Sequence, residues 1–521
     1  MRIDKVYIED FKNLKNFSID VNEEMMKVVL LGKNASGKSN FLEALVIIFR
    51  DLDLDEPPTF SYSIKYICNE NQVEITADPN GQNKYKRLVN GKDVSKKDFY
   101  INKEKYLPRY LFAYYSGVSN RLESHFDQHQ NKFYQELLSG NDEPLRPLFY
   151  AQLVHSNFVL MAFYSYQEQE TQKFLEEYLD IVGLESVLFV LKEPEWAKRN
   201  KNRKVTDGDP RFWKARGKVR DFLRDLHRIS LAPIRAEGTY RKDFLHPQEK
   251  EEQLYLFISN ENNLQNLADL YLDNVNFFKM LESTYMSDLI REVRVKVKKR
   301  NADGTITFQE LSEGEQQLLT VLGLLRFTRS DESLILLDEP DTHLNPLWKW
   351  QYIDLLEKIV RRPESTQIFI TTHDPLVIGG LEKEQIRIFD KENDNGAIKV
   401  WQPEFSPKGL GVAGILIELF GLPSTVDPDT QEKLERKRTL EIKDDEHSIT
   451  PDEQNELNRL ILELQSYGFS NYIRDPLYAK FMKAVQKIPE FQNPPKTKAD
   501  RTQQDKLALD LLEEIVKEEK K

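Results

Sequence analysis

A single cysteine, Cys68, is present in a chain of 521 residues. One thiol can build neither an internal disulfide framework nor a cysteine-based zinc site. It stands in the apolar run YSIKYIC, where it reads as a small buried hydrophobe. Long apolar runs are scarce as well. A stretch such as LLTVLGLL at 318–325 falls far short of the ~20 residues needed to cross a bilayer. The opening residues MRIDKVYIED lack the basic-then-apolar profile of a signal peptide, so a cytoplasmic protein without a membrane partner is expected. Sustained heptads are missing too. Gly140, Pro144, Pro147, Pro194, Gly208 and Pro210 interrupt the middle of the chain and exclude a long coiled coil there. Positive charge is in deficit, with a formal net charge of −12, which argues against a chain coated all over with nucleic acid. A chain this long exceeds one compact core and implies two or more domains.

What is present begins at residues 31–40, LGKNASGKSN. The apolar run Val28–Leu31 precedes this stretch and FLEALVIIF follows it, giving a strand–loop–helix order. Gly32, Gly37, Lys38 and Ser39 hold the fixed positions of G-x-x-x-x-G-K-[ST]. Glycines at this spacing let backbone N–H groups approach phosphate oxygens, and the helix N-terminus adds partial positive charge. Lys38 would reach the β- and γ-phosphates, and the Ser39 hydroxyl would hold Mg²⁺.

Three further stretches lie far downstream: ELSEGEQQLL at 310–319, LILLDEP at 334–340 followed by DTHLNP, and IFITTHDP at 368–375. LILLDEP has the form of a buried parallel strand that delivers acids at its C-terminal end, where α/β sheets place ligands. Asp338 would hold Mg²⁺ through water, and Glu339 would position and deprotonate an attacking water. A second apolar strand ends at His373, which can donate to a γ-phosphate oxygen. Ser312 and Gly314 open the helix QQLLTVLGLLRF, a second place suited to an anion. One chain needs only one phosphate cradle. The second fits a nucleotide held by another protomer.

Taken together, GKNASGKSN, LSEGEQQ, LILLDEPDTHLNP and TTHDP resemble the ATPase core of the ABC class in its RecF/SMC-like branch, over roughly residues 1–65 and 290–400. The resemblance implies an α/β head of two lobes with a P-loop in a mixed sheet, carrying a helical insertion and a helical C-terminal region. It implies ATP and Mg²⁺ as cofactors and a head-to-tail homodimer, or a higher homo-oligomer, sandwiching two ATP molecules. Carried over, Gly32 to Ser39, with Asn34 and the following Asn40, are the Walker A loop. Ser312, Gly314 and Glu315 are the signature, Asp338 and Glu339 the Walker B pair, Asp341 the D-loop and His373 the switch histidine. RIDKVYIEDFKNLKNFSIDV reads as the hairpin that covers adenine in that family. The family's Q-loop glutamine has no clear counterpart: no Gln directly follows the strand YLFAYYSG, and neither Gln128 nor Gln130 is assigned.

Expected boundaries are 1–118 for lobe I, 119–285 for the insertion, 286–423 for lobe II, and 424–521 for a charged linker and C-terminal helices. The insertion should end in the hairpin VRVKVKKRNADGTITF. Residues 198–228 carry twelve Lys/Arg against four Asp, interleaved with aromatics, and Trp196 stands just before them. Arg199, Lys201, Arg203 and Lys204 are the candidates for nucleic-acid contact, against the alternative of a solvated face with the aromatics packed beneath. His125 and His129, one helical turn apart, are read as a polar helix face and not as metal ligands. Thr450-Pro451-Asp452-Glu453 reads as a helix start. Leu507, Leu511, Leu512 and Ile515 share one face of a last helix.

Relatives of this core that are nucleases carry E-G-x-T-E and D-x-D after the ATPase. Neither pattern follows residue 380, and no HNH cluster is present, so the chain is expected to cut nothing by itself. The insertion, YYSGVSNRLE at 114–123 and the helical tail resemble the PtuA family of Septu-type and retron-associated antiphage defence systems. That resemblance implies an ATPase subunit that regulates a separate HNH-type nuclease. A RecF-like repair clamp without a nuclease is the alternative.

Overall fold

The computed structural model describes the chain except residues 118–120, 140–147, 167–168, 200–207, 241–248, 301–305, 328–331, 360–363, 392–396, 468, 470–480, 482–483, 486–487, 492–497 and 520–521. The chain divides into two units: Met1–Ile378 with Glu384–Gln402, and Gly379–Lys383 with Pro403–Lys521.

In the first unit, a seven-stranded sheet forms from segments far apart in sequence. Its order is Ile398–Trp401, Ile386–Lys391, Lys27–Gly32, Thr366–Thr371, Ser333–Asp338, Tyr110–Tyr115 and Leu148–Tyr150. All neighbours are parallel except the Ile386–Lys391 and Ile398–Trp401 pair. Ser333–Asp338 and Thr366–Thr371 are buried at every position, which is why they read as unbroken apolar runs. A parallel sheet brings its functional side chains to one edge, at the C-terminal ends of its strands. Here that edge carries Gly32, Asp338 and Thr371 side by side.

A second, six-stranded antiparallel sheet begins with the expected hairpin, Arg2–Phe11 against Leu14–Asp20, and continues through Tyr62–Cys68, Asn71–Ala77, Tyr85–Val89 and Lys92–Asp93. The helix Lys38–Leu54 is buried nearly all round, with Phe41, Leu42, Leu45, Ile48 and Phe49 at 1% exposure or less. Such a helix belongs inside a core, and it joins residues of both sheets in one apolar cluster. Cys68 is fully buried there, and burial pushes its thiol well up.

The insertion contains the expected helices, among them Asp127–Ser139, Val154–Tyr166 and Asn274–Met286, and adds a five-stranded antiparallel sheet. Its order is Leu231–Tyr240, Glu249–Ile258, Ile181–Lys192, Ile290–Arg300 and Ile306–Gln309. The last two strands form the expected hairpin; the first three depart from an all-helical lobe. The alternation that marks them is visible in Ile290–Arg300, whose valines 293, 295 and 297 face inward while Arg294 and Lys296 face out.

In the second unit, the stretch from 424 expected as a charged link instead forms a helix over Pro428–Asp445. Asp427 caps it through Thr430 N–H at 3.0 Å, and Pro428 fills the first position. The same signature at Thr450-Pro451 opens Pro451–Ser466, where Thr450 and Glu453 form a reciprocal capping box. The two helices pack through Leu440, Leu457 and Leu460. The expected helix start at Asp475-Pro476 lies outside the described residues. The last helix spans Lys498–Glu519, with Ile515 buried and Leu512 38% exposed.

Candidate active site

The loop between strand Lys27–Gly32 and helix Lys38–Leu54 needs glycine at two places. Gly37 has φ +98°, and a Cβ there would lie 2.7 Å from Ile398 Cδ1. Gly32 has φ +145°, and a Cβ would lie 2.3 Å from the Phe389 carbonyl oxygen of the adjacent strand. Both demand a residue without a side chain. Asn34 is exposed at the crest. Below it, Lys38 Nζ donates to the carbonyls of Gly32 (2.7 Å) and Lys33 (3.2 Å). Burial pulls the Lys38 ammonium down to about 8, while Glu339 and Asp338 favour its charged form.

Ser39 Oγ donates to Asp338 Oδ1 at 3.0 Å, joining residues that lie 299 positions apart. Asp338 is 1% exposed and also accepts from Thr371 Oγ1 at 2.5 Å. Burial pushes its carboxyl above the usual range despite those two bonds. A hydroxyl and a carboxylate side by side are hard oxygen ligands. Mg²⁺ takes one or two such protein ligands when water and phosphate complete its shell. Among the described residues, no group of three or more His, Cys, Asp or Glu side chains stands ready for a metal.

Glu339 has φ +52°, a left-handed conformation that costs a non-glycine residue about 1–3 kcal/mol. Its N–H is held by the Thr371 carbonyl (3.2 Å) and Thr371 Oγ1 (3.0 Å). The turn carries its carboxylate past the strand end, where Oε1 lies 3.0 Å from His373 Nε2. That hydrogen bond holds the Glu339 carboxyl below its ordinary value, against burial. Lys38, Ser39, Asp338, Glu339 and His373 therefore converge at one edge of the sheet.

Ser312, Gly314 and Glu315 make a second cluster. Glu315 Oε2 accepts from the Ser312 N–H and hydroxyl, both at 2.8 Å, and Lys299 pairs with Oε1. A Cβ on Gly314 would lie 2.7 Å from the His343 carbonyl oxygen, so the helix start rests on the turn that follows Asp341. Further along, the helix passes through a π-turn at Leu319–Gly323, a feature frequent at functional sites. There Gly323 abuts Val159 of the insertion helix.

Asp341 is 5% exposed and accepts from Thr372 Oγ1 at 3.0 Å, while its Oδ1 is buried without a partner. Burial raises its carboxyl to about 6. A folded-state value above the unfolded one means folding opposes ionisation. The penalty is absent below pH ~4, grows to pH ~6 and is constant above, at about 3 kcal/mol for two pKa units. Asp341→Asn is expected to raise the melting temperature at pH 7.5 and to leave it unchanged at pH 4; thermal denaturation at the two pH values checks this.

Several residues of the site carried no assignment in the sequence. Thr371 ties Asp338 to Glu339, and Thr372 holds Asp341. Both precede His373 in a stretch where only the histidine stood out. Glu43, 4% exposed, accepts from Lys12 Nζ (2.5 and 2.6 Å), Arg121 Nε (2.8 Å) and His125 Nε2 (2.9 Å). Burial pushes its carboxyl up, but hydrogen bonds from these three residues win and hold it down at about 2. One acid in the otherwise apolar FLEALVIIF was the available signal. The polar face that His125 and His129 share turns toward helix Lys38–Leu54. His125 meets the buried Glu43, and His129, 4% exposed, meets the half-buried Asp53 Oδ2 at 2.9 Å, because carboxylates drawn from water need donors.

Of the basic stretch, the Arg199 side chain and Lys201, Arg203 and Lys204 lie outside the described residues. In the described part, Arg211 and Arg224 share Asp209, Phe212 is fully buried, and Trp213 Nε1 donates to Glu252 at 3.1 Å. Phe212 is thus a packing residue, whereas Trp213 is partly exposed and lies under the Arg235 guanidinium. Gln128 and Gln130 both lie on helix Asp127–Ser139.

A mostly parallel sheet with a glycine loop at the end of one strand, an antiparallel sheet sharing a core with the loop helix, and paired acids two strands away give the fold of an ABC-type ATPase head. Residues 150–379 match the family model described as "AAA domain, putative AbiEii toxin, Type IV TA system". The chain is similar to the Septu protein PtuA of Bacillus mycoides (strain KBAB4), 27% identical over 172 residues, 31% of this chain and 24% of that protein. It is also similar to the DNA replication and repair protein RecF of Chlamydia muridarum (strain MoPn / Nigg), 32% identical over 108 residues, 18% of this chain and 28% of that one. The chain thus spans about a quarter of the length of each of these relatives. Among solved structures, the SMC head domain from Thermotoga maritima aligns over 78% of this chain and all of its own, at 14% identity and a TM-score of 0.32. No described helix is long and apolar enough to cross a membrane.

Proposed function

We propose that this chain binds and hydrolyses ATP. The observation that carries the reading is the meeting of Lys38 and Ser39 with Asp338, Glu339 and His373. Lys38 gives its hydrogen bonds to neutral groups, two carbonyls and the Ser36 hydroxyl, so it can turn them to phosphate oxygens with a gain in charge. Ser39 and Asp338 would hold Mg²⁺, which would supply positive charge to the phosphates. Glu339, kept ionised by His373, takes the proton of the water that attacks the γ-phosphorus; ADP and phosphate leave. His373 donates its N–H to a γ-phosphate oxygen once the water engages Glu339.

Ser312, Gly314 and Glu315 act on the nucleotide of a second copy, with Asp341 at the same interface, so that ATP closes a head-to-tail homodimer from which higher oligomers can form. Contact between Gly323 and Val159 gives closure a route into the insertion. Similarity to PtuA supports a place in an antiphage defence complex, in which ATP regulates a separate nuclease of HNH type. Arg199, Lys201, Arg203 and Lys204 would contact nucleic acid by neutralising phosphates. Purification of tagged protein from its native host tests the partner: a stoichiometric nuclease is expected. Recovery of repair proteins alone would favour a RecF-like clamp instead, the second reading that the similarity to RecF supports.

A further inference from the structure

The threonine pair before His373 divides its hydroxyls between two turns. Thr372 Oγ1 donates to Asp341 Oδ2 at 3.0 Å, while Thr371 Oγ1 meets the acids that end the adjacent strand. Thr371 closes strand Thr366–Thr371 and stands opposite Asp338 in parallel register. It is fully buried, directly after the apolar run Ile368-Phe369-Ile370. A hydroxyl in such a place costs free energy unless it is hydrogen-bonded. This one uses its single proton on Asp338 Oδ1, at 2.5 Å, and a lone pair on the Glu339 N–H, at 3.0 Å. An N–H can only donate, so the hydroxyl must accept there and its proton is committed to the Asp338 carboxylate.

We propose that Thr371 is a positioning residue for ATP hydrolysis, whose one hydroxyl orients the metal-holding acid and the water-activating acid together. This rests on the ATP reading above. Three observations carry it. First, Ser39 and Thr371 both donate to Asp338 Oδ1, so Oδ2 is left without a donor among the described residues. On the ATP reading Ser39 has to give a lone pair to Mg²⁺. Thr371 is then the donor that keeps the buried carboxylate bonded and oriented. Second, the Glu339 N–H is held by two acceptors, and both belong to Thr371: its carbonyl at 3.2 Å and Oγ1 at 3.0 Å. Glu339 has φ +52°, and a strained conformation persists only where its surroundings hold it. That turn brings Glu339 Oε1 to 3.0 Å from His373 Nε2. Third, a β-branched side chain is stiff at χ1, so the hydroxyl is kept on both partners. Valine would fill the same space and make neither bond.

The test compares the full chain with Thr371→Val and Thr371→Ser in ATP turnover and in equilibrium binding of a fluorescent ATP analogue, each titrated with Mg²⁺. Thr371→Val is expected to lose about 10–100-fold in turnover and to need about tenfold more Mg²⁺, the usual loss when a group supporting a metal ligand is removed. Nucleotide affinity without Mg²⁺ should be unchanged. The Mg²⁺ titration of binding should shift by the same factor as that of turnover, which a loss of packing alone would not produce. Thr371→Ser keeps the hydroxyl and should recover most of the turnover and the wild-type Mg²⁺ requirement. Thr371→Ala, read beside the serine variant, serves if the valine variant folds poorly. A valine variant with wild-type turnover and Mg²⁺ requirement would overturn the positioning role while ATP hydrolysis by the wild type stands. A serine variant as impaired as the valine one would do the same, because the methyl group and not the hydroxyl would then be the cause. If the wild type hydrolyses no ATP, the ATP reading falls and the positioning role with it.

Discussion

Glu339→Gln is expected to bind ATP as tightly as the wild type and to hydrolyse it about 10²–10⁴-fold more slowly, the usual loss when a general base is removed. The geometry separates the two effects. Glu339 stands past the strand end on a left-handed backbone and faces His373, while Lys38 and Ser39 bind from the glycine loop. A glutamine keeps the size and can still hydrogen-bond to His373, but it cannot accept a proton. Its backbone N–H remains bonded to Thr371, so the strained turn should persist. Phosphate release at saturating ATP, measured beside equilibrium binding, checks both halves. Full turnover in this variant would remove Glu339 from the chemistry. Loss of binding would make it a ligand for the nucleotide and not a base.

Removing Lys38 should act on the other half. Lys38→Ala is expected to weaken ATP binding by about 10²–10³-fold, the worth of two hydrogen bonds to a charged partner. The fold should survive, because the lysine is bonded to two carbonyls and the Ser36 hydroxyl of its own loop and its burial disfavours its own charge. The sign of that shift adds a second signature. With the free ammonium at about 8, a rise in pH through 8 deprotonates the lysine, so wild-type ATP affinity should fall between pH 7 and 9. Titration calorimetry across that range reads the change, and Lys38→Ala should show none of it. An unchanged affinity in the variant would place the phosphates elsewhere.

The parts of the site legible in the sequence are those in which one local rule fixes both residue type and position. A glycine loop between an apolar strand and a helix, and acids at the end of a buried strand, declare themselves because backbone geometry and burial tolerate little else. Thr371 and Arg121 do not. Thr371 matters only because parallel pairing sets it beside Asp338, in a register that no local pattern carries. Arg121 matters only because its segment returns to helix Lys38–Leu54. The helix Pro428–Asp445 was hidden for another reason. Its solvated surface is nearly uniform in charge pattern, with only Thr430 and Leu440 buried, so no apolar stripe marks it, although Asp427-Pro428 signals its start. The strand Leu231–Tyr240 has seven exposed positions in ten and lacks alternation, as suits the edge of a sheet.

The claim that two chains share each nucleotide can be tested by mixing. Lys38→Ala lacks the phosphate lysine but keeps Ser312, which is exposed. Ser312→Arg keeps the loop and blocks the second cluster. Each variant alone should be inactive in ATP hydrolysis. Mixed in equal amounts, they should recover about a quarter of wild-type activity, since random pairing makes half the dimers mixed and each mixed dimer has one intact site. Activity in the mixture no greater than the mean of the two variants alone would contradict a shared site and confine the chemistry to one chain.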